Sequence, residues 1–471
     1  MILLPESFEM RMKSILGSGF PEFSHSLSAS IHHSIRINPK KTGKNVDLNP
    51  VPTCSTGYYL AQRPIYTLDP LFHAGTYYVQ ESSSMFLEQF ILLSNSKKLK
   101  VLDLCAAPGG KSTHLSSLLS DDSLLVSNEV IHPRALVLSE NLKKWGNPNV
   151  VVTCNDPRDF SRLPGFFDII VVDAPCSGEG LFRRDPSAMD EWSESNANLC
   201  AQRQKRILAD VWPSLAEGGM LIFSTCTFNP AENEENIAWL SEFASVEAVR
   251  LNIPDEWGIL TTEANGIPCY RFYPHKVDGE GYFTAAVRKK ESVETKWNTK
   301  SKTNLPLAGK AEQILLNGLL QNLPLSLIKF EEQFLAFPTA LLTELDLLKA
   351  ALRIVHAGVK VGGIKQASLI PAHELAISTV ANKTHFPSVD LSLEQSICFL
   401  KREDFQLDFQ GKGWNLLTYL GHPLGWAKNI GSRFNNSYPK EWRIRMATNE
   451  YSGNRLAEEA SKFPLQSILF L

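Results

Sequence analysis

Two cysteines stand where thiols can react. Cys176 lies in Asp173-Ala-Pro-Cys-Ser-Gly-Glu-Gly180, and Cys226 in Ser224-Thr-Cys-Thr-Phe-Asn-Pro230. Each follows a short apolar run and is flanked by polar or glycine residues, so each is expected at a strand exit, accessible to a ligand. Cysteine is more often a small buried hydrophobe. Cys154 and Cys200 suit that description, and Cys105 is expected to line a loop rather than react. A pair of thiols suits covalent catalysis on an electron-poor ring. Carbon 5 of cytosine is too weak a nucleophile to take a methyl group by itself. A thiolate adding to carbon 6 turns the ring into an enamine, and carbon 5 then attacks a sulfonium methyl. The carbon 5 proton and the thiol must leave afterwards. One cysteine would be the nucleophile, and the other would assist proton removal or release. A free thiol has a pKa of about 8.5, so the nucleophile needs help to ionise. Asp173, beside the site, would hydrogen-bond the N3/N4 edge of the ring.

The methyl donor has its own signature. Asp103-Leu-Cys-Ala-Ala-Pro-Gly-Gly-Lys-Ser-Thr113 follows an apolar run and opens a helix. Two glycines at a strand-to-helix turn let a ligand approach the backbone. A phosphate loop is excluded because its first glycine would fall at Cys105. The dinucleotide pattern G-x-G-x-x-G is absent. Acidic residues follow the next three apolar runs: Glu129, Asp156 and Asp173. In an open parallel sheet the ligand sits at the carboxyl ends of the strands. A carboxylate after the second strand can accept ribose hydroxyls, and one after the third can reach an adenine amine. S-adenosyl-L-methionine has both groups and no phosphate. Any one such carboxylate is commonly a solvated loop charge; three at consecutive strand ends behind a glycine loop favour the cofactor.

These residues need a scaffold. Apolar runs at 100–105, 124–128, 150–154, 168–172 and 220–224 alternate with helical stretches, the pattern of a parallel sheet covered on both faces. A closing hairpin is expected from 269–272 and 282–288. Asn229-Pro230-Ala231-Glu232 reads as N-cap, N1 and N3 of the helix after Cys226. Before the core, Ser34-Ile-Arg-Ile-Asn-Pro39 alternates as a strand and ends at proline. The polar stretch 291–305 reads as a linker. The expected division is a small α+β module at 1–75, a core at 76–290, the linker, an intermediate module at 306–385 and a β-rich domain at 386–471.

Asp103–Lys111, Asp173–Gly180 and Thr225–Thr227 resemble three motifs, in order, of the Nop/Sun family of RNA cytosine-C5 methyltransferases. Gln80-Glu-Ser-Ser-Ser84, Arg271-Phe-Tyr-Pro-His275 and Gly279-Glu-Gly281 extend the match. The resemblance implies an α/β fold with a Rossmann-like class I methyltransferase core and S-adenosyl-L-methionine as cofactor. It places the cofactor residues at Cys105, Ala106, Ala107, Pro108, Gly109, Gly110, Lys111, Glu129, Asp156 and Asp173. It places the nucleophile at Cys226 and the release cysteine at Cys176. Gly421-His-Pro-Leu-Gly-Trp426, Gly431–Asn436 and Tyr438-Pro439 resemble the PUA-like tail of the bacterial small-subunit rRNA members. Arg36-Ile-Asn38 resembles the family's N-terminal RNA-contact module. Small-subunit rRNA, naked or in an assembled subunit, is thus the first expectation for substrate and partner. tRNA, or a non-catalytic assembly role, stays open. Lys111 would orient the cofactor carboxylate or touch RNA. Arg183 and Arg184 would hold a phosphate or form a solvated pair.

Composition bounds this reading. The chain has 471 residues, 43% hydrophobic and 21% charged, which excludes a disordered or collagen-like protein. Eight cysteines without a CxxC pair argue against a disulfide scaffold or a zinc site. Free thiols point to a reducing compartment, hence the cytoplasm. There is no signal-peptide pattern, and no run approaches the roughly 18 apolar residues of a membrane span. Nothing suggests an obligate oligomer, so a monomer is expected. The net charge of −3 argues against RNA binding driven by a broad positive field. Between Phe399 and Met446, however, eight Lys or Arg face four Asp or Glu. Trp414, Tyr419, Trp426 and Tyr438 interleave with them and are expected mainly in the core.

Overall fold

The core strands run through two apolar layers at once. Val101, Ile169, Val171, Met220 and Ile222 belong to one buried cluster, and Leu102, Ile170, Val172, Leu221 and Phe223 to the other. Successive side chains of a strand point to opposite faces, so a sheet covered on both sides needs unbroken apolar runs. The computed structural model describes residues 4–43, 46–94, 96–292, 304–316, 318–366, 368–409, 411–446 and 454–465. Residues 293–303 of the expected linker lie outside them.

The parallel strands are β1 (Lys100–Asp103), β2 (Leu124–Asn128), β3 (Val150–Thr153), β4 (Phe167–Asp173) and β5 (Leu215–Thr225). They lie in the order β3-β2-β1-β4-β5. The chain reverses direction of travel at β1, so the carboxyl ends of β1 and β4 open a crevice there. β6 (Leu260–Ala264), β7 (Ile267–Phe272) and β8 (Tyr282–Lys289) extend the sheet beyond β5, all antiparallel. The expected hairpin is β7–β8, paired Cys269 to Ala285. Helices α1 (Gly110–Leu118), α2 (His132–Trp145), α3 (Glu194–Val211) and α4 (Glu234–Phe243) connect and flank the strands.

Two elements depart from the sequence reading. The segment 306–385 is more than an added module: its strand β9 (Ile354–Ala357) pairs antiparallel with β3 and completes the core sheet. Edge strands expose unpaired backbone, and β9 covers the edge that β3 would present. The helix after Cys226 begins at Glu234 with Asn233 at its cap, not at Asn229. The Asn229 side chain instead accepts from Ala231 N in a local turn.

The N-terminal strands His33–Ile37, Gly57–Leu60, Tyr77–Val79 and Asn49–Pro50 form one antiparallel sheet. The helices before it, Glu6–Leu16 and Phe20–Ser26, bury Phe8 and Phe23 against Phe182, Trp192, Phe228 and Tyr273. They therefore lean on the loops that follow Cys176 and Cys226. The C-terminal part forms two four-stranded sheets, and the second, Ser388–Asp390 to Phe434–Asn436, packs back on the N-terminal module. Trp426, Tyr438 and Tyr419 are buried there, and the Trp414 indole donates to Leu369 O. These aromatics are core, not a stacking platform. Among the described residues no helix is long and apolar enough to cross a membrane.

Candidate active site

Strand ends bring the two thiols together. β4 and β5 are parallel neighbours that pair Asp173 with Ser224, so the loops leaving them emerge side by side. Cys176 Sγ and Cys226 Sγ lie 3.1 Å apart. The contact is held from below by Gly180, whose amide donates to Cys226 O at 2.8 Å. A Cβ on Gly180 would stand 2.4 Å from Gly281 O and 2.8 Å from Cys226 O, so no side chain fits. Gly281 is packed as tightly, with Phe228 2.3 Å from where its Cβ would be.

Asp173 is fixed at both oxygens. Oδ1 accepts from Ser224 Oγ at 2.8 Å, and Oδ2 pairs with Lys111 Nζ at 2.8 Å. Burial works against the Lys111 ammonium. Asp173, the Tyr282 ring and Asp103 outweigh it, and its pKa rises. Lys111 thus meets Asp173 rather than solvent.

The glycine loop turns where expected. Gly109 adopts φ +118, a left-handed conformation that glycine takes without strain, and α1 starts at the next residue. A cavity of about 280 Å³ opens here, lined by Cys105–Pro108, Gly110, Lys111, Asp173, Cys226 and Tyr282. Asp103 sits at its floor, wholly buried. Its Oδ2 accepts from Ser112 Oγ, and its Oδ1 has no partner among the described residues. Burial pushes this carboxyl up to about 7, with Asp173 and Glu129 adding to the rise. An orphaned buried carboxylate oxygen beside a glycine loop suits a cationic ligand group such as the amino group of S-adenosyl-L-methionine. Glu129, 3% exposed, lies at the end of β2 and accepts from Ile131 N. Asp156 follows β3, where its Oδ1 accepts from Arg158 N and caps a short turn. Neither lines the cavity itself; both continue along the same edge of the sheet. Burial also raises the Cys105 thiol.

Several residues fall elsewhere than the sequence suggested. Arg36 is fully buried: Nε donates to Gln80 Oε1 at 3.0 Å, Nη2 to Thr113 Oγ1 at 2.6 Å, and the guanidinium lies over Trp145. Asn38 is buried as well and caps a helical turn at Lys40 N. Both side chains are turned into the protein and pin the N-terminal sheet to α1 and α2. The same interface buries Cys54, Glu88 and His114, whose side chains bond one another. Arg183 donates to Gly279 O, Ser30 O and Ala29 O, a structural tie and not a phosphate site. Arg184 does border the cavity, 3.6 Å from Glu280. Burial, then Glu81, push Glu280 up to about 7. Glu81 holds that turn in place by accepting Glu280 N at 2.9 Å.

Two buried carboxylates beside the thiol loops were missed. Glu232, read as a cap, is turned inward with no exposed surface and accepts from Ser177 N and Ser177 Oγ. Glu179 is also fully buried, and binds Arg11, Trp192 and Phe228 N. A glutamate within seven residues of each cysteine was the available signal.

The strand order, the glycine loop and the carboxylates at successive strand ends define a class I methyltransferase with a β-rich appendage. Residues 90–288 match the model of the 16S rRNA methyltransferase RsmB/F family. Residues 4–82 match the N-terminal domain of 16S rRNA methyltransferase RsmF, and 386–444 the methyltransferase RsmF PUA domain. Ribosomal RNA small subunit methyltransferase F of Salmonella heidelberg is 31% identical over 93% of this chain and 96% of its own. The protein of the same name from Aliivibrio fischeri is 30% identical over 93% of this chain and 98% of its own. The crystal structure of a methyltransferase homolog from Pyrococcus horikoshii covers 60% of this chain and 95% of its own, at 27% identity and a TM-score of 0.52. The chain belongs to the RsmB/F family and is an RNA methyltransferase.

Proposed function

We propose that this enzyme methylates carbon 5 of a cytosine in small-subunit rRNA, through a covalent Cys226 adduct that Cys176 helps to resolve. The observation that carries the reading is the 3.1 Å approach of two thiols beside the Asp173–Lys111 pair. A single-thiol nucleophile would need no such neighbour. S-adenosyl-L-methionine, when bound, supplies the sulfonium methyl. Cys105–Lys111 would cradle it, Asp103 would take its amino group, Glu129 its ribose hydroxyls, and Asp156 the adenine amine. Cys226 adds to carbon 6 of a base taken out of its stack. Asp173 accepts the exocyclic amine of the ring, and Lys111 Nζ holds its Oδ2 in place. Cys176 stands beside the adduct for proton removal and elimination. The relatives' names favour small-subunit rRNA over tRNA. The same reading takes in RNA, free or within the subunit, as the partner, a monomeric enzyme and a cytoplasmic setting. It divides the chain at 75, 290, 305 and 385.

The test is to incubate the protein with labelled cofactor and total RNA, then map 5-methylcytosine. Transfer to small-subunit rRNA is expected. Label in tRNA alone overturns the substrate, and no transfer to any RNA overturns the reading. Cys226→Ala should abolish both methylation and adduct, whereas Cys176→Ala should let a protein–RNA adduct accumulate. The opposite pattern reverses the two roles.

A further inference from the structure

Two thiols in contact pose a question of which one ionises. Sulfurs 3.1 Å apart lie within their van der Waals contact distance, the geometry of one proton shared between them. A second negative charge at that distance is strongly disfavoured, so the pair loses one proton and keeps the other. Chemistry requires that the thiolate be the sulfur that reaches carbon 6.

We propose that Glu232 makes this choice: its carboxylate, set against the Cys176 loop, keeps the shared proton on Cys176 and leaves the negative charge on Cys226. The inference rests on the covalent reading above. Glu232 Oε1 accepts from Ser177 N at 2.9 Å and from Gln204 Nε2 at 3.2 Å. Oε2 accepts from Ser177 Oγ at 2.5 Å. Three donors on two oxygens favour the charged carboxylate, while burial, and then Glu179, raise its pKa above the ordinary value. No Lys or Arg among the described residues pairs with it. Of the other acids beside the two thiol loops, Asp173 pairs with Lys111 and Glu179 with Arg11. Cys200 also faces Glu232, from α3, with Arg203 near it. Glu232 is therefore a carboxylate without a cationic partner, and it is bonded to the residue next to Cys176. The Cys176 thiol is raised well above its ordinary value, by its bond to Cys226, by burial and by Glu232.

The balance is simple. One proton goes from the dithiol to solvent, Cys226 sulfur adds to carbon 6, and Cys176 retains its hydrogen at that stage. Glu232 does not line the cavity, so it is a positioning residue. Asn236 donates to Gln204 Oε1 and Gln204 to Pro175 O, which holds the carboxylate and the Cys176 loop as one unit.

The experiment uses the full chain and iodoacetamide, which alkylates thiolates and releases iodide. Rates at Cys176 and Cys226 are read by peptide mass spectrometry from pH 6 to 9. In the wild type Cys226 is expected to react first. Glu232→Gln keeps the shape and removes the charge. Its Cys176 rate at pH 7 is expected to rise about tenfold, the thiolate gain when a like charge stops raising a thiol by about one pKa unit. Glu232→Asp should restore the wild-type order. Ser177→Ala keeps the charge and removes a hydrogen bond, and should also keep the order. A Glu232→Gln protein with unchanged order overturns the proposal. So does a Ser177→Ala protein in which Cys176 becomes the faster thiol, and that arm stands even where Glu232→Gln fails to fold. With RNA carrying 5-fluorocytidine, wild-type adducts should map to Cys226 and Glu232→Gln adducts to both cysteines. Absence of any wild-type adduct would count against the function proposed above, while the alkylation order would still decide the role of Glu232.

Discussion

Replacing Arg36 with methionine is expected to destabilise the protein and leave its affinity for RNA unchanged. The guanidinium makes two good hydrogen bonds, to Gln80 Oε1 at 3.0 Å and Thr113 Oγ1 at 2.6 Å, and a longer one to Gly110 O at 3.3 Å. It also stacks 4.7 Å from the Trp145 ring. Burial lowers its pKa to about 10, so it is charged at neutral pH. A hydrogen bond to a charged group contributes about 1.5–3 kcal/mol, and each buried acceptor left unpaired costs about 1–3 kcal/mol. Methionine recovers packing and relieves the burial of a cation, so a net loss of about 3 kcal/mol is reasonable. For a cooperative unit of about 200 residues that corresponds to a fall in Tm of about 6–12 °C. Calorimetry measures the melting temperature, and RNA binding is followed against salt concentration. A phosphate contact would reduce the slope of log K against log salt by about one. An unchanged Tm with weaker binding and a shallower slope would refute the reasoning, and would return Arg36 to the RNA interface.

Other outcomes follow from the site. The Asp103 carboxyl, raised to about 7 by burial, must lose its proton before it can face a cofactor ammonium. Affinity for S-adenosylhomocysteine should then fall about tenfold per pH unit below 7 and level off above it, and Asp103→Asn should flatten the profile in calorimetric titrations. For folding the sign is opposite: with a folded value above the ordinary 3.8, Asp103 stabilises the protein at low pH and loses that contribution as pH rises through about 7. Gly180→Ala places a methyl 2.4 Å from Gly281 O and 2.8 Å from Cys226 O. The displaced thiol should lower kcat by about 100-fold, with circular dichroism unchanged. Normal kcat would mean that the Gly180 contact does not position Cys226.

The residues on which the proposed chemistry rests were largely legible in the chain because their motifs are local. Short apolar runs ending in Asp103, Glu129, Asp156 and Asp173 declare a parallel sheet and the edge where its ligand sits. Gly109 marks a left-handed turn that few other residues could take. What stayed hidden depended on contacts between distant segments. Arg36 in an alternating strand looks like an exposed cation until α1 and Trp145 close over it. Glu232 has the spacing of a helix cap, and only the packing of α3 against the Cys176 loop turns it inward to Ser177 and Gln204. Strand β9, 200 residues from its partner β3, carries no local sign of its register. Residue types and short spacings therefore determined the parallel strands, the glycine loop and the two thiols at neighbouring strand ends. The tertiary structure decided which charges are buried and which are matched, because burial and neighbouring charge arise only when segments far apart in the chain meet.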